Sequence, residues 1–435
     1  MAVSPQETHL AKTAEAKTAL ANTTPAKTNL AEQGFHARIR RGLEYEQSRR
    51  EVPENFPALP PIPAGRYTDT GFLKLEYEFL WKKSWLYVCH ADQLAQPGDY
   101  ILWNATRSPV IIARGQNDTI HAFYNTCRHR GAPLVKLAAG KVQGGFTCPY
   151  HGWSYALDGS LVGIRDRRDF PGLDFTCLGL VPVRCETLGK WIFLNEDPDA
   201  PPLLESLQPL ADEFARFEPD SIRHIDSRSF DVACNVKVLL DGLLEVYHLK
   251  TIHPKTADRF LDHRGTSQTL FPRGHSLMVT PNRSPDWIDP GTAGMMEFAQ
   301  AGELYRQFNV SFNLFPALVT PVSATGMPFL ALYPTGDNTM RLECHWFSPD
   351  WGDGDRHPLW DKRISNFVRI LEEDLQLVPL IQTSMESPGF TGIQLGYQER
   401  RIYHWHEELD RRIGKRVPEH LKLEPLLAGM IELDQ

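Results

Sequence analysis

From residue 85 the chain alternates short aromatic and β-branched segments, at residues 85–90, 100–103, 110–113 and 120–124, with turn residues such as Gly98 and Gly115. Apolar runs of strand length bounded by glycine predict short strands, and so a small all-β module over residues 85–200. A strand at residues 191–195 closes it, before an acidic, proline-rich connection at residues 196–202. Past that point the pattern is mixed. A helix-compatible run at residues 235–251 is followed by several strands between Phe308 and Phe347, then by a second helix-compatible run at residues 359–384. Residues 201–435 therefore read as a second, α+β domain. Ahead of the β module, residues 35–84 hold an arginine-rich, helix-compatible stretch and a proline-rich linker at residues 53–63, which join the second domain.

Residues 1–34 differ from the rest: Ala, Lys and Thr dominate, and Ala-Lys-Thr recurs at Ala11, Ala16 and Ala26. Such a segment buries too little apolar surface to offset its ordering entropy and reads as a disordered tail or frayed helix. It has no apolar core, and Glu7, Glu15 and Glu32 are residues that transit peptides avoid.

A length of 435 residues exceeds the usual single domain. The net charge of −8, with 23% charged residues, leaves no basic patch for a phosphate backbone, so nucleic acid is not an expected partner. No stretch approaches the ~18 consecutive apolar residues of a membrane span; even residues 238–244 are interrupted by Asp241. A soluble protein with no membrane partner is expected. Seven cysteines without a compact framework fit a reducing compartment, by default the cytoplasm.

Cys127-Arg128-His129 is separated by eighteen residues from Cys148-Pro149-Tyr150-His151. Two thiolates and two imidazoles in paired loops are a metal-binding arrangement, and ligand type alone would also suit zinc. The flanks add Tyr124-Asn125-Thr126 before the first pair, Arg130-Gly131 after it and Gly152-Trp153 after the second, with glycine and proline able to make tight turns over the donors. The glycines at 140, 144 and 145 lack dinucleotide-binding spacing.

A second constellation runs from Asn235 to His248 and ends at His253-Pro254. Two histidines and a carboxylate leave half of a coordination sphere open, as ferrous iron needs to meet dioxygen and substrate together. Residues five apart on a helix point about 140° apart, so His248 and His253 share a metal only if the helix ends or distorts there. Thr251 and Pro254 favour such a break. The alternative is a surface helix with two unrelated histidines. His404 and His406 alternate like a metal pair but lie in a charged, helix-like tail, and no catalytic role is expected of them. Cys89, Cys177, Cys185, Cys234 and Cys344 read as packed thiols.

The first motif closely resembles the Rieske iron-sulfur domain. With the second motif following it, the chain resembles the alpha, or terminal oxygenase, subunit of the Rieske non-heme iron oxygenases, the ring-hydroxylating and demethylating family. The resemblance covers nearly everything after the tail. It implies an all-β Rieske [2Fe-2S] domain and a larger α+β catalytic domain whose antiparallel sheet is flanked by helices. In that family two cysteines hold one iron of the cluster and two histidines the other, which here are Cys127, Cys148, His129 and His151. It further implies a mononuclear Fe(II) on His248, His253 and Asp374, which lies eight residues before Gln382, with Glu373 the nearest rival. Glu245 falls at the acidic bridge, where most members carry aspartate and a minority, including oxygenases of carnitine and glycine betaine, carry glutamate. Gly242 stands near the iron where many members have asparagine.

What the resemblance implies for activity is a terminal oxygenase. It takes electrons from a reductase, directly or through a ferredoxin, so that NAD(P)H acts only indirectly. With O2 it would mono- or cis-dihydroxylate a small organic substrate, first an aromatic or other ring compound. Monooxygenation or demethylation of a quaternary ammonium compound is the alternative, as is a Rieske electron carrier without catalysis. A head-to-tail homotrimer is implied, in which His151 of one subunit meets Glu245 of the next, with room for a beta subunit. Leu243, Leu244 and residues 312–315, 329–333 and 367–371 are expected to line a largely apolar pocket.

Overall fold

The computed structural model describes residues 25–432, with side chains from residue 34 onward. The tail reading for residues 1–24 falls outside them. Helix α1 (Pro25–Ser48) starts ten residues before Phe35, where the helix-compatible run was placed. Proline at a first helical position forfeits only an N–H that has no partner there, and the Ala, Leu, Glu and Lys behind it are good helix formers. Helix α2 (Thr70–Phe79) is capped by Asp69, whose carboxylate accepts the Phe72 N–H at 2.7 Å. Among the described residues no helix is long and apolar enough to cross a membrane.

The predicted β module contains strands β1 (Leu86–His90), β2 (Asp99–Trp103), β3 (Val110–Arg114), β4 (Ile120–Tyr124), β5 (Ala139–Lys141), β6 (Gly145–Thr147), β7 (Ser154–Ala156), β8 (Leu161–Gly163), β9 (Arg184–Leu188) and β10 (Trp191–Asn195). They form three sheets, ordered β4-β3-β2-β5, β6-β7-β8 and β9-β10-β1, and every pairing is antiparallel. Strand β3 explains why its sequence is apolar without alternation. Ile111 and Ala113 face a small core shared with Phe123, Phe146, Trp153 and Tyr155, while Val110 and Ile112 face the large core of the molecule. Successive side chains point to opposite faces, and here both faces are covered.

The second region is built on a seven-stranded antiparallel sheet from β11 (Arg223–Val232), β12 (Ser267–Leu270), β13 (Ser276–Pro281), β14 (Phe308–Leu314), β15 (Leu318–Val322), β16 (Met327–Gly336) and β17 (Thr339–Ser348), in the order β11-β17-β16-β15-β14-β13-β12. Helices α3 (Val236–Leu243), α4 (Leu359–Leu375), α5 (Val378–Met385) and α6 (Arg400–Ile413) accompany it. Strands β1 and β10, which open and close the predicted module, place their side chains in this larger core. Trp191 and Tyr87 meet Phe329 with ring centroids 4.8 and 5.1 Å apart.

At that seam three imidazoles gather. His90 and His224 lie 6.0 Å apart and His224 and His345 6.1 Å, and the Ser227 hydroxyl bridges His224 Nε2 at 2.7 Å and His345 Nδ1 at 2.8 Å. A second buried polar group anchors α3. Lys237 pairs with Glu76 at 2.7 Å, and Asp241 accepts the Tyr67 hydroxyl at 2.5 Å, which itself lies 2.9 Å from His406 Nε2. Burial pushes the Asp241 carboxyl up to about 7, against the lowering effect of Tyr67, Lys237 and Arg66.

Candidate metal centres

The two cysteine-histidine loops have one construction. The Cys127 N–H donates to Ala132 O and the Gly131 N–H to Cys127 O, both at 2.9 Å. Likewise the Cys148 N–H donates to Trp153 O at 2.8 Å and the Gly152 N–H to Cys148 O at 3.1 Å. In both loops the glycine stands four residues after the cysteine with φ of +75° and +72°, a conformation that costs a residue with a Cβ and not glycine. Asn125 braces the first loop: its side-chain oxygen accepts the Leu134 and Val135 N–H groups at 2.7 and 3.2 Å.

The outcome is two buried thiols beneath two imidazoles. Cys127 and Cys148 are 2% and 3% exposed, and His129 and His151 bring their Nδ1 atoms to 3.1 Å. The Tyr155 hydroxyl accepts the Arg128 N–H at 3.0 Å, which leaves its own proton for Cys127 Sγ at 3.3 Å. His129 stacks on Trp153 at 4.9 Å. No three of these four donors lie within 4.8 Å of one another, a wider set than one tetrahedral ion would gather. Buried thiols below facing imidazole nitrogens suit the two-cysteine, two-histidine set of a Rieske [2Fe-2S] cluster.

The second centre starts at α3. Asn235 caps it by accepting the Lys237 N–H at 3.0 Å, and the Asn235 N–H donates to Gln382 Oε1 at 2.8 Å. The run predicted as helical over residues 235–251 breaks here. Helix α3 ends at Leu243, and only a single turn, Leu249–Ile252, lies between the two histidines. The Glu245 carboxylate takes the backbone N–H groups of Tyr247 and His248, which competes with the helical ladder. The break swings both imidazoles to the same side.

His248 Nε2 and His253 Nε2 approach Asp374 Oδ1, on α4, at 3.7 and 3.2 Å. Among the described residues this is the one group of three or more His, Cys, Asp or Glu whose donor atoms all lie within 4.8 Å. On the far side of each ring sits another carboxylate. Glu245 Oε1 bonds His248 Nδ1, and Glu373 Oε2 bonds His253 Nδ1 at 2.6 Å. His253 is 2% exposed, His248 24% and Asp374 19%. Burial works to lower both imidazoles, yet the hydrogen bonds and charges of Glu245 and Asp374 hold His248 above its ordinary range, and those of Asp374 and Glu373 do so for His253. Among the described residues the ion pairs of these three carboxylates are all to the two histidines. Three carboxylates against two imidazoles leave a net negative site of the kind a divalent cation neutralises, and the donor set suits ferrous iron.

His404 and His406 do not join either centre. Rather than a charged tail, α6 is buried along most of its length, with both histidines 0% exposed. His404 Nε2 donates to Phe271 O at 2.9 Å, and His406 Nδ1 accepts the Arg66 Nε–H at 3.1 Å.

Two family models match the chain: the Rieske [2Fe-2S] domain over residues 84–174, and the ring hydroxylating alpha subunit (catalytic domain) over residues 219–415. Each match contains one of the two centres. The chain carries a Rieske [2Fe-2S] domain followed by the catalytic domain of a ring hydroxylating alpha subunit. This Rieske chain is 34% identical over 213 residues to the carnitine monooxygenase oxygenase subunit of Escherichia coli (strain K12), covering 48% of its own length and 57% of the relative's. Over 298 residues it is 30% identical to the anthranilate 1,2-dioxygenase large subunit of Acinetobacter baylyi, 59% of its own length and 62% of the relative's. It thus spans less than two thirds of these relatives.

Two solved structures share the fold of the Rieske chain. The quaternary ammonium Rieske monooxygenase CntA in complex with L-carnitine matches with a TM-score of 0.68 and 24% identity, over 84% of this chain and 100% of that one. Naphthalene 1,2-dioxygenase from Rhodococcus sp. bound to indole matches with a TM-score of 0.68 and 19% identity, over 88% and 99%.

Proposed function

We propose that this chain is the oxygenase component of a multicomponent system, with a Rieske cluster on Cys127, His129, Cys148 and His151 and Fe(II) on His248, His253 and Asp374. The observation that carries the reading is the convergence of two imidazole Nε2 atoms on Asp374 in a chain that also holds the cluster loops. When bound, the cluster supplies single electrons from a reductase, directly or through a ferredoxin, and ferrous iron supplies dioxygen activation. The protein's own part is orientation. Glu245 holds His248 by Nδ1, which fixes the ring with its metal-facing nitrogen toward Asp374.

Assembly as a head-to-tail homotrimer is part of the proposal, with His151 of one subunit against Glu245 of the next. Its support is that both centres reach the surface beside exposed tyrosines, Tyr150 at 57% next to His151 and Tyr247 at 70% next to His248. A heterologous contact of this kind closes as a ring. The proposed compartment is the cytoplasm.

For substrate, the glutamate at position 245 and the carnitine and glycine betaine monooxygenase relatives, at 28–34% identity, favour a small quaternary ammonium compound. A ring substrate, the first expectation from sequence, is the second reading, on the likeness to the anthranilate dioxygenase large subunit. The test is mass spectrometry of products formed under labelled dioxygen from a panel of quaternary ammonium compounds and aromatic acids. Incorporation of label into any panel member supports the reaction class, and the member identifies the substrate. Iron analysis accompanies it: about three irons per chain are expected, and two would indicate an electron carrier.

A further inference from the structure

Glu373 and Asp374 are consecutive on α4, and consecutive helical residues point about 100° apart. They nevertheless serve the same imidazole from its two flanks. Asp374 Oδ1 lies 3.2 Å from His253 Nε2, and Glu373 Oε2 lies 2.6 Å from His253 Nδ1. Glu373 is held in place by Thr256, whose hydroxyl donates to the same Oε2 at 2.7 Å. Thr256 is 6% exposed and tied to the metal-facing loop, its N–H donating to His253 O at 3.1 Å. Glu373, Thr256 and His253 therefore form a closed triangle of side chain, side chain and backbone.

Glu373 Oε2 is spent on the Nδ1 edge of His253, whereas the donor atoms that converge are those of His248, His253 and Asp374. A carboxylate can only accept at Nδ1, so it selects the tautomer whose Nε2 lone pair is bare and aimed at the metal position. Glu245 does the same for His248, but it belongs to the proposed contact with the next subunit, whereas Glu373 is seated by its own chain.

We propose that Glu373, seated by Thr256, is the positioning residue of His253 and sets how tightly the mononuclear site holds its metal. This rests on the proposed iron site. A second-sphere partner of a ligating histidine typically changes metal affinity 10- to 100-fold.

The test is anaerobic equilibrium dialysis of Fe(II) against the full, cluster-loaded chain, with nitric oxide as an EPR probe of the ferrous site; the oxidised cluster has no ground-state EPR signal. Wild type is compared with Glu373→Ala, Glu373→Gln, Thr256→Val and Asp374→Ala. Expected are an affinity loss of about 10- to 100-fold for Glu373→Ala, smaller losses for Glu373→Gln and Thr256→Val, and a broadened nitrosyl spectrum in all three, with cluster absorption unchanged. Binding within about two-fold of wild type in Glu373→Ala overturns the proposal, as does a complete loss equal to that of Asp374→Ala, which would make Glu373 a ligand. If Glu373→Ala fails to fold, the near-isosteric Gln and Val variants decide by the same criteria. If wild type and Asp374→Ala bind Fe(II) alike, the iron-site reading itself falls.

Discussion

Acid should open the seam between the strand pair β1/β10 and the catalytic sheet before it unfolds a typical domain of this size. His90 is fully buried there, and desolvation pushes its imidazole down to about 3, against the raising effect of Asp92. Burial pushes His224 down to about 4, helped by His345 and opposed by Asp92 and Asp226. Asp92 lies 3.4 Å from His90 Nδ1 and also pairs with Lys190 at 3.1 Å, Glu343 lies 3.4 Å from His345 Nε2, and Tyr87 and Phe347 close the cluster. Both folded values lie below the unfolded one of about 6.5. The stabilisation is then fully present above about pH 6.5 and is lost as pH falls toward 4, because the unfolded chain binds protons that the native seam refuses. At pH 5 the chain sits about 1.5 units below the unfolded value, which at about 1.4 kcal/mol per unit costs about 2 kcal/mol for His90 and somewhat less for the less buried His224. The assay is guanidinium unfolding of the holoprotein from pH 7.5 to 5, with a His90→Gln/His224→Gln double variant alongside. Wild type should lose roughly 3–4 kcal/mol more than the variant over that range. Equal pH slopes for the two proteins would refute the reasoning.

Three other outcomes follow from the geometry. Glu245→Gln should keep cluster absorption and, like Glu373→Gln, most of its mononuclear iron while turnover falls by orders of magnitude, because the charge that orients His248 is gone and the volume is not; wild-type product yield would show that Glu245 is no bridge. His248→Ala should lose the mononuclear iron and keep the cluster's colour, whereas Cys148→Ser should lose the colour, as iron analysis and visible spectra would show. Lys237→Met should cost about 3–5 kcal/mol in thermal or chemical unfolding, because it strands the Glu76 carboxylate, 3% exposed, without its cation; a loss below about 1 kcal/mol would mean that Glu76 is already neutral.

How much of this was legible in the sequence depended on how locally each feature is encoded. The cluster loops were readable because cysteine, histidine and glycine at fixed short spacing carry both the donors and the turn. Strands β14–β17 showed in their apolar patterning, but β11, β12 and β13 did not. Strand β11 carries Arg223, Asp226, Arg228 and Asp231, and β12 has four residues. The α3 run looked continuous because its hydrophobic spacing is helical to Leu244; what ends it is a single carboxylate turning back on its own backbone. The burial of α6 is hidden by composition, since Arg400 and Arg401 find partners on Gln268 and Ser276, more than 120 residues earlier, Glu407 takes the N–H groups of Leu426 and Leu427, and Glu408 pairs with Arg411 and Arg412 of its own helix. Which of Glu373 and Asp374 meets the two imidazole Nε2 atoms is not settled by residue type, because it depends on the rotation of α4 against a loop 120 residues earlier.

The two outer strands of the catalytic sheet bear on whether copies of this chain stack edge to edge. Strand β12 hides its outer backbone: Arg400 and Gln398 side chains donate to the carbonyls of Gln268 and Thr266 at 3.0 and 3.1 Å, and the Glu432 N–H donates to Leu270 O at 2.9 Å. Helix α1 lies so close that a methyl group on Gly42 would stand 2.5 Å from Ser267 Oγ. Strand β11, ten residues long, has the His224 N–H covered by the Asp92 carboxylate at 3.2 Å and along its length carries Arg223, Asp226, Arg228 and Asp231, which make an added strand costly to desolvate. The first edge is therefore protected by covering and the second by charge. High salt weakens the second guard and not the first, so salt-induced self-association of the folded chain would begin at β11.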